Sequence, residues 1–239
     1  MNADQIARTI RRQLKTKAKK KHALSTRRFF KEKTWVYGVP APTVKKIAKE
    51  YAKRFTSDRD MKTAFEVAEK LLASSNMEEG ITAIWMLRQF SKHFDPSLFS
   101  LFDQWVDYLT NWTHTDGLSG WLIAEVVRKD PVKIRELIKW TSSSNRWRRR
   151  AAAVALTPLA REGRSLNEIV RVADRLMTDG DDMVQKGVGW LLKEAGERHP
   201  DEIVRYLQKW KGKTSGVTMR YACEKLPVSK RKLLINVRD

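Results

Sequence analysis

Four nine-residue stretches of this 239-residue chain share one pattern: WMLRQFSKH (85–93), WLIAEVVRK (121–129), VALTPLARE (154–162) and WLLKEAGER (190–198). Each opens on an apolar residue, continues with apolar positions at helical spacing and closes on a basic or polar end. Their starts lie 36, 33 and 36 residues apart. Repetition at this period constrains the fold strongly, because a helix pair of that length buries its apolar face only against its neighbours, so the pairs must stack. The expected class is all-α, a curved α-solenoid of HEAT-like antiparallel helix pairs, with a period slightly short of the standard HEAT unit. Residues 1–239 are expected to form a single HEAT-like repeat domain, with 1–42 a basic, aromatic, helical segment packed on the solenoid.

Apolar residues recur at spacings of three and four nearly everywhere, with Gly, Pro, Asp and Ser clusters between the runs. This predicts helices near 2–21, 42–55, 60–74, 78–93, 97–109, 116–128, 131–140, 147–160, 165–178, 182–197, 200–210 and 215–225. Pro131 and Pro200 stand where following helices start. No strand is needed. Gly187 and Gly189 fall inside a predicted helix, where each costs about 1 kcal/mol relative to Ala. Their presence suggests that another backbone comes close.

Charge is the next constraint. The chain carries 48 Lys and Arg against 28 Asp and Glu, a formal net charge of +20. Residues 1–60 hold 18 basic against 5 acidic side chains, residues 61–144 hold 9 against 11, and residues 145–239 hold 21 against 12. Two basic ends flank a neutral middle. A charge this large repels itself unless a polyanion is near, so nucleic acid or an anionic membrane is the expected partner class. The plainer alternative is solubility charge on solvated faces. No apolar run approaches the ~20 residues of a membrane span, and residues 1–23 lack the apolar core of a secretory signal. A location in the cytoplasm, associated with the nucleoid, is the default expectation. The single cysteine, Cys223, excludes an internal disulfide framework and a Cys-rich zinc site, and is expected to fill a helix face.

Three segments carry candidate chemistry. HALSTRRFFKEKTWVYGVPAP (22–42) interleaves Arg27 and Arg28 with Phe29, Phe30, Trp35 and Tyr37. That pattern suits either a backbone clamp with a stacking surface or aromatic docking onto the helices. NWTHTD (111–116) places Trp112 four residues before Asp116, at an expected helix N-cap, so Asp116 is either a cap or a functional carboxylate. NRWRRRAAAVAL (145–156) crowds Arg146, Arg148, Arg149 and Arg150 at a helix start, where the macrodipole disfavours cations. A bound phosphate would relieve that crowding, and so would acids from adjacent repeats. Nucleotide-binding glycine motifs and metal-ligand spacings are absent from the sequence, so no cofactor is expected.

On these residues the chain resembles the AlkD-type DNA alkylation-repair glycosylases, a HEAT-like repeat family. The likeness extends from RRFFKEKTWVYGVPAP to PDEIVRYLQKW. Trp112 and Asp116 match the family's Trp-x-x-x-Asp site, Arg150 its arginine before an Ala-Ala pair, and Trp190 its Gly-Trp tryptophan. Three positions depart from the pattern: Phe29 stands for a tyrosine, Asn111 stands where a second tryptophan can occur, and His114 lies inside the motif. The resemblance implies a glycosylase that hydrolyses N3- and N7-alkylpurines from duplex DNA, and a monomer is the simplest expectation for a curved chain of this kind. It makes Asp116 the catalytic carboxylate, with Trp112 and Trp190 at the sugar. Arg150 would hold a flanking phosphate, and further DNA contacts are expected from Arg27, Arg28, Phe29, Arg148, Arg149 and Lys186. It also implies engagement of the deoxyribose without a tight base pocket. Two other readings use the same residues: a non-catalytic DNA- or RNA-binding solenoid, and a protein-binding scaffold.

Overall fold

The computed structural model describes residues 1–235, without the side chains of residues 58 and 59. Among the described residues every regular element is helical, and the extended pairing is a single parallel bridge between Trp35 and Asn76. The helices are α1 (Ala3–Thr16), α2 (Lys20–Arg27), α3 (Ala41–Ala52), α4 (Asp58–Leu72), α5 (Met77–Arg88), α6 (Phe99–Trp105), α7 (Trp112–Gly117) and α8 (Ala124–Lys129). They continue with α9 (Ile134–Trp140), α10 (Arg146–Val154), α11 (Thr157–Arg161), α12 (Leu166–Leu176), α13 (Asp182–Arg198), α14 (Pro200–Trp210), α15 (Gly216–Cys223) and α16 (Val228–Arg231). Among the described residues no helix is long and apolar enough to cross a membrane. The helices gather into two compact units, Met1–Glu125 and Val126–Asp239.

In the first unit α1 is amphipathic in the plain sense: Ala3, Ile6, Ala7, Ile10 and Leu14 are buried at helical spacing, and Asn2 with Gln5 forms a capping box. The predicted helix over 2–21 is interrupted after Thr16. Beyond Leu14 the sequence offers lysines and no apolar anchor, so nothing holds another turn against the core. The chain restarts as α2, whose buried residue is Ala23. Here Gly38 is required: it adopts φ +91°, and a Cβ on it would stand 2.5 Å from the Lys19 carbonyl oxygen and 2.7 Å from the Ala23 Cβ. Its carbonyl accepts from the Lys19 N–H at 3.0 Å, so the extended segment 35–40 runs directly under α2. Packing of α5 against α3 and α4, and of α1 against α4, completes this core.

In the second unit α13 is the central element. It packs against α10, α11, α12, α14 and α15, and most of its circumference is buried, including Val184, Gly187, Val188, Gly189, Leu191 and Glu194, while Lys186, Trp190, Lys193 and Glu197 lie along the side that is not. The predicted helix over 147–160 divides into α10 and α11, because Pro158 lacks the N–H needed to continue a helix and sits instead in the first turn of the next. Cys223 is fully buried, and burial pushes its thiol up to about 11, as a space-filling residue requires. The two helical glycines differ. A Cβ at Gly189 would lie 2.4 Å from the Tyr221 Cβ and 3.0 Å from the Thr218 carbonyl oxygen of α15, a true backbone approach. At Gly187 the neighbour is a side chain, with the Arg150 Cγ at 3.2 Å.

This contrast predicts a stability result. Gly189→Ala forces α13 and α15 apart and, despite the better helix propensity of Ala, is expected to cost roughly 1–3 kcal/mol. Gly180→Ala, where nothing lies within 4 Å, should leave the unfolding free energy within about 0.5 kcal/mol of wild type. Equal melting of the two variants would show that the helices do not meet at Gly189.

Candidate active site

Two buried carboxylates at the start of α5 organise the first unit. Glu78 and Glu79 are almost inaccessible, at 0% and 1% exposure, where an ionised group persists only with full hydrogen bonding. Glu78 accepts backbone N–H groups from Tyr37 (2.9 Å), Gly38 (2.7 Å) and Val39 (3.1 Å). Glu79 accepts Arg11 Nε at 2.7 Å and the Tyr37 hydroxyl. Burial and the adjoining Glu79 carboxylate together raise the Tyr37 phenol well above its ordinary range, so it stays a donor. The Trp35 carbonyl accepts the Met77 N–H at 2.9 Å. These bonds fasten the aromatic segment to α5. Periodicity in the sequence gave no sign of them.

With the segment fastened, its aromatic residues divide between the two expected roles. Phe30 docks: its ring stacks on Trp112 with centroids 5.5 Å apart and planes 21° from parallel. Phe29 is 76% exposed. Arg27 and Arg28 are exposed as well. An apolar pocket of about 290 Å³ opens between these rings and α5, lined by Phe29, Phe30, Val44, Ile81, Trp85 and Trp112 among others.

Asp116 is not the cap that the sequence suggested. The N-cap of α7 is Asn111, whose side chain accepts the His114 N–H at 3.0 Å, and Asp116 is the fifth residue of the helix. Trp112 and Asp116, four apart, therefore share a helix face, and both are half-buried. Directly after α7 the chain forms a π-helical turn over Leu118–Ile123 before α8. Such turns are frequent at functional sites.

Asn111 and His114 prove to be one unit. Both are fully buried. The His114 Nε2 lies 2.9 Å from the Met77 carbonyl oxygen, which can only accept, so Nε2 carries the proton and Nδ1 accepts the Asn111 amide at 3.2 Å. Gly80 makes room, because a Cβ there would stand 2.4 Å from the ring. Burial lowers the imidazole to about 4, which is partly countered by the Met77 carbonyl, so the ring is neutral at pH 7. His114 thus anchors α7 to α5 and sets the position of Trp112 and Asp116.

The remaining candidates belong to the second unit. Arg150 is buried and donates to the Met183 carbonyl. Arg149 forms a two-point pair with Asp179 at 2.6 and 3.3 Å and donates to the Ser143 and Ser144 carbonyls. Arg146 pairs with Asp181 at 2.9 Å and Asp182 at 3.6 Å. The acids preceding α13 therefore offset the cationic start of α10. Arg148 lies over the Trp140 ring at 5.2 Å, and Lys186 is 3.5 Å from Asp182. Trp190 is half-buried and donates from Nε1 to Glu194 at 3.1 Å. Burial opposes the Glu194 charge, but hydrogen bonds from Arg161, Lys225 and Trp190 outweigh it and hold the carboxyl below its usual range.

A pH dependence follows from His114. Its folded value is depressed from 6.5 to about 4, so the unfolded chain binds a proton in that window and the folded chain does not. The associated stability is complete above pH 6.5 and is lost as the pH falls toward 4, by roughly 2–4 kcal/mol. Denaturant midpoints measured at pH 7 and 4.5 should show this loss, and His114→Gln should lose that share of the slope. An unchanged slope in the variant would assign the acid sensitivity elsewhere.

Comparisons with known proteins agree with this architecture. A sequence profile of the DNA alkylation repair enzyme family matches residues 10–226. No curated protein sequence matches the chain. Similar solved structures include a predicted DNA alkylation repair enzyme from Enterococcus faecalis, 17% identical with a TM-score of 0.76 over 89% of this chain and 98% of that one. Another is AlkD2 from Streptococcus mutans, 18% identical with a TM-score of 0.56 over 95% of this chain and 100% of that one. At these identities the structural likeness speaks to the fold alone. The matched profile spans most of the sequence, and the chain belongs to the DNA alkylation repair enzyme family.

Proposed function

We propose that the protein is a DNA glycosylase that hydrolyses the N-glycosidic bond of N3- and N7-alkylpurines in duplex DNA. The observation that carries this reading is the half-buried carboxylate of Asp116 one turn after Trp112, on a helix that it does not cap. A capping role is filled by Asn111, so the carboxylate has no such duty to account for it.

As the C1′–N bond breaks, its electron pair goes to the alkylated purine, which leaves as a neutral base, and positive charge builds on the deoxyribose. A fixed carboxylate beside C1′ stabilises that charge and orients a water molecule, the electrostatic logic of glycoside hydrolysis. The water oxygen bonds to C1′ and loses its proton to solvent, leaving an abasic site. Alkylation has already made the purine a cationic leaving group, so one carboxylate suffices. Trp112 presents an aromatic face to the developing cation, and Trp190 is assigned the same role. Lys186 is assigned to a phosphate, with Arg27, Arg28, Phe29 and Arg148 as further DNA contacts, while Arg150, buried with its guanidinium on the Met183 carbonyl, acts mainly through the fold. Arg149, already held by Asp179, contributes mainly through the fold.

The test is single-turnover release of N7-methylguanine from a duplex containing one such lesion. Asp116→Asn keeps size and shape, so stability and duplex binding should persist, while release should fall at least ~10²-fold, the scale of losing one preorganised electrostatic group. Near-normal release by the variant would overturn the assignment of Asp116.

A further inference from the structure

In the first unit, two cations share two indoles. The rings of Trp85 (α5) and Trp121 (in the π-helical turn) lie 4.6 Å apart, inclined at 55°. The Arg88 guanidinium lies over both, 4.9 Å from Trp85 and 4.3 Å from Trp121, and the Lys45 ammonium of α3 is 4.6 Å from Trp85. Among the described residues neither cation makes an ion pair with a carboxylate. This differs from the second unit, where Arg146 and Arg149 are matched by Asp179, Asp181 and Asp182.

The site is built, because the indoles hold the cations in place. In an uninterrupted α-helix a step of five residues ends about 140° round the axis. The π-helical turn, with its wider bonding, reduces that offset and brings Trp121, five residues beyond Asp116, to the Trp85 ring. Trp85 also lines the pocket shared by Trp112 and Phe30. Trp85 therefore belongs both to the pocket with Trp112 and to the pair with Trp121, and Asp116 lies between those two tryptophans in sequence. Lys45 and Arg88 are both exposed, and partial burial alone lowers the Arg88 guanidinium from its ordinary value, a cost that no acid among the described residues offsets. An anion would offset it, and it would find guanidinium and ammonium donors at fixed positions with aromatic faces beside them.

We propose that Lys45 and Arg88, held by Trp85 and Trp121, form a phosphodiester-binding site for the DNA strand whose nucleotide faces Asp116. The site rests on the glycosylase reading for its DNA but is independent of Asp116 chemistry. It reads backbone and not base, so it should act equally on damaged and undamaged duplex.

The experiment measures binding of the full chain to an undamaged duplex by anisotropy across a range of salt concentrations, for wild type, Arg88→Gln, Lys45→Gln and the double variant. Lys139→Gln serves as a control, since that exposed lysine pairs with Glu136 on α9. Each single variant should weaken binding roughly tenfold and reduce the log–log salt slope by about 0.9, the share of one phosphate contact, with about twice that reduction in the double variant. Arg88→Lys should restore the slope, and thermal melting should confirm that the variants fold. A normal wild-type slope that Arg88→Gln and Lys45→Gln leave where Lys139→Gln leaves it would overturn this site alone. A wild type with a flat salt response would overturn the site and DNA binding together. Loss of release in Asp116→Asn with no slope change in the cation variants would keep the enzyme and reject the site.

Discussion

The first unit depends on the burial of two adjacent carboxylates at the N-terminus of α5. Desolvating a charged carboxylate costs several kcal/mol, which only a complete set of donors offsets. Glu78 obtains its set from three successive backbone N–H groups, and Glu79 from Arg11 and Tyr37. The helix N-terminus adds a favourable field. Because the donors lie on the extended segment and on α1, the charge can be buried only when both are docked. That obligation carries Phe30 to the face of Trp112, with Gly38 supplying the one backbone conformation that lets the segment pass beneath α2.

His114 extends the same logic from α5 to α7. A neutral imidazole between a carbonyl and an amide has one satisfactory tautomer, and that tautomer defines where α7 begins. Asn111 and His114 thus form a mutually dependent pair, and Gly80 is the third member because only a hydrogen fits against the ring. The carboxylate and indole of the candidate site are therefore carried on a rigid, buried support, as precise positioning requires.

Charge is used differently in the two units. The arginine-rich start of α10 is largely absorbed by the acids before α13, so much of what the sequence offers as a polyanion site is internal bookkeeping of the fold. Among the described residues the cations over Trp85 and Trp121 have no such acids, although neither stands in a run of arginines. Net charge points to a class of partner, and local pairing decides which cations remain to meet it.

The sequence by itself determined the all-α class, nearly every helix, and the Trp112–Asp116 spacing, because these follow from periodicities of three and four residues that any window reveals. It marked Gly187 and Gly189 alike as close backbone approaches, since a glycine inside a helix carries a cost that packing must justify, and packing bears this out at Gly189, whereas Gly187 meets the Arg150 side chain. Only tertiary structure decided the rest. Whether Asp116 or Asn111 caps α7 depended on where one turn begins, which spacing leaves undetermined by several residues. The division of 2–21 depended on the absence of a partner surface beyond Leu14. The fates of Glu78, Glu79, Arg88 and Arg149 depended on residues tens of positions away, and a side chain's local sequence carries no record of the charge that will face it across a packed core.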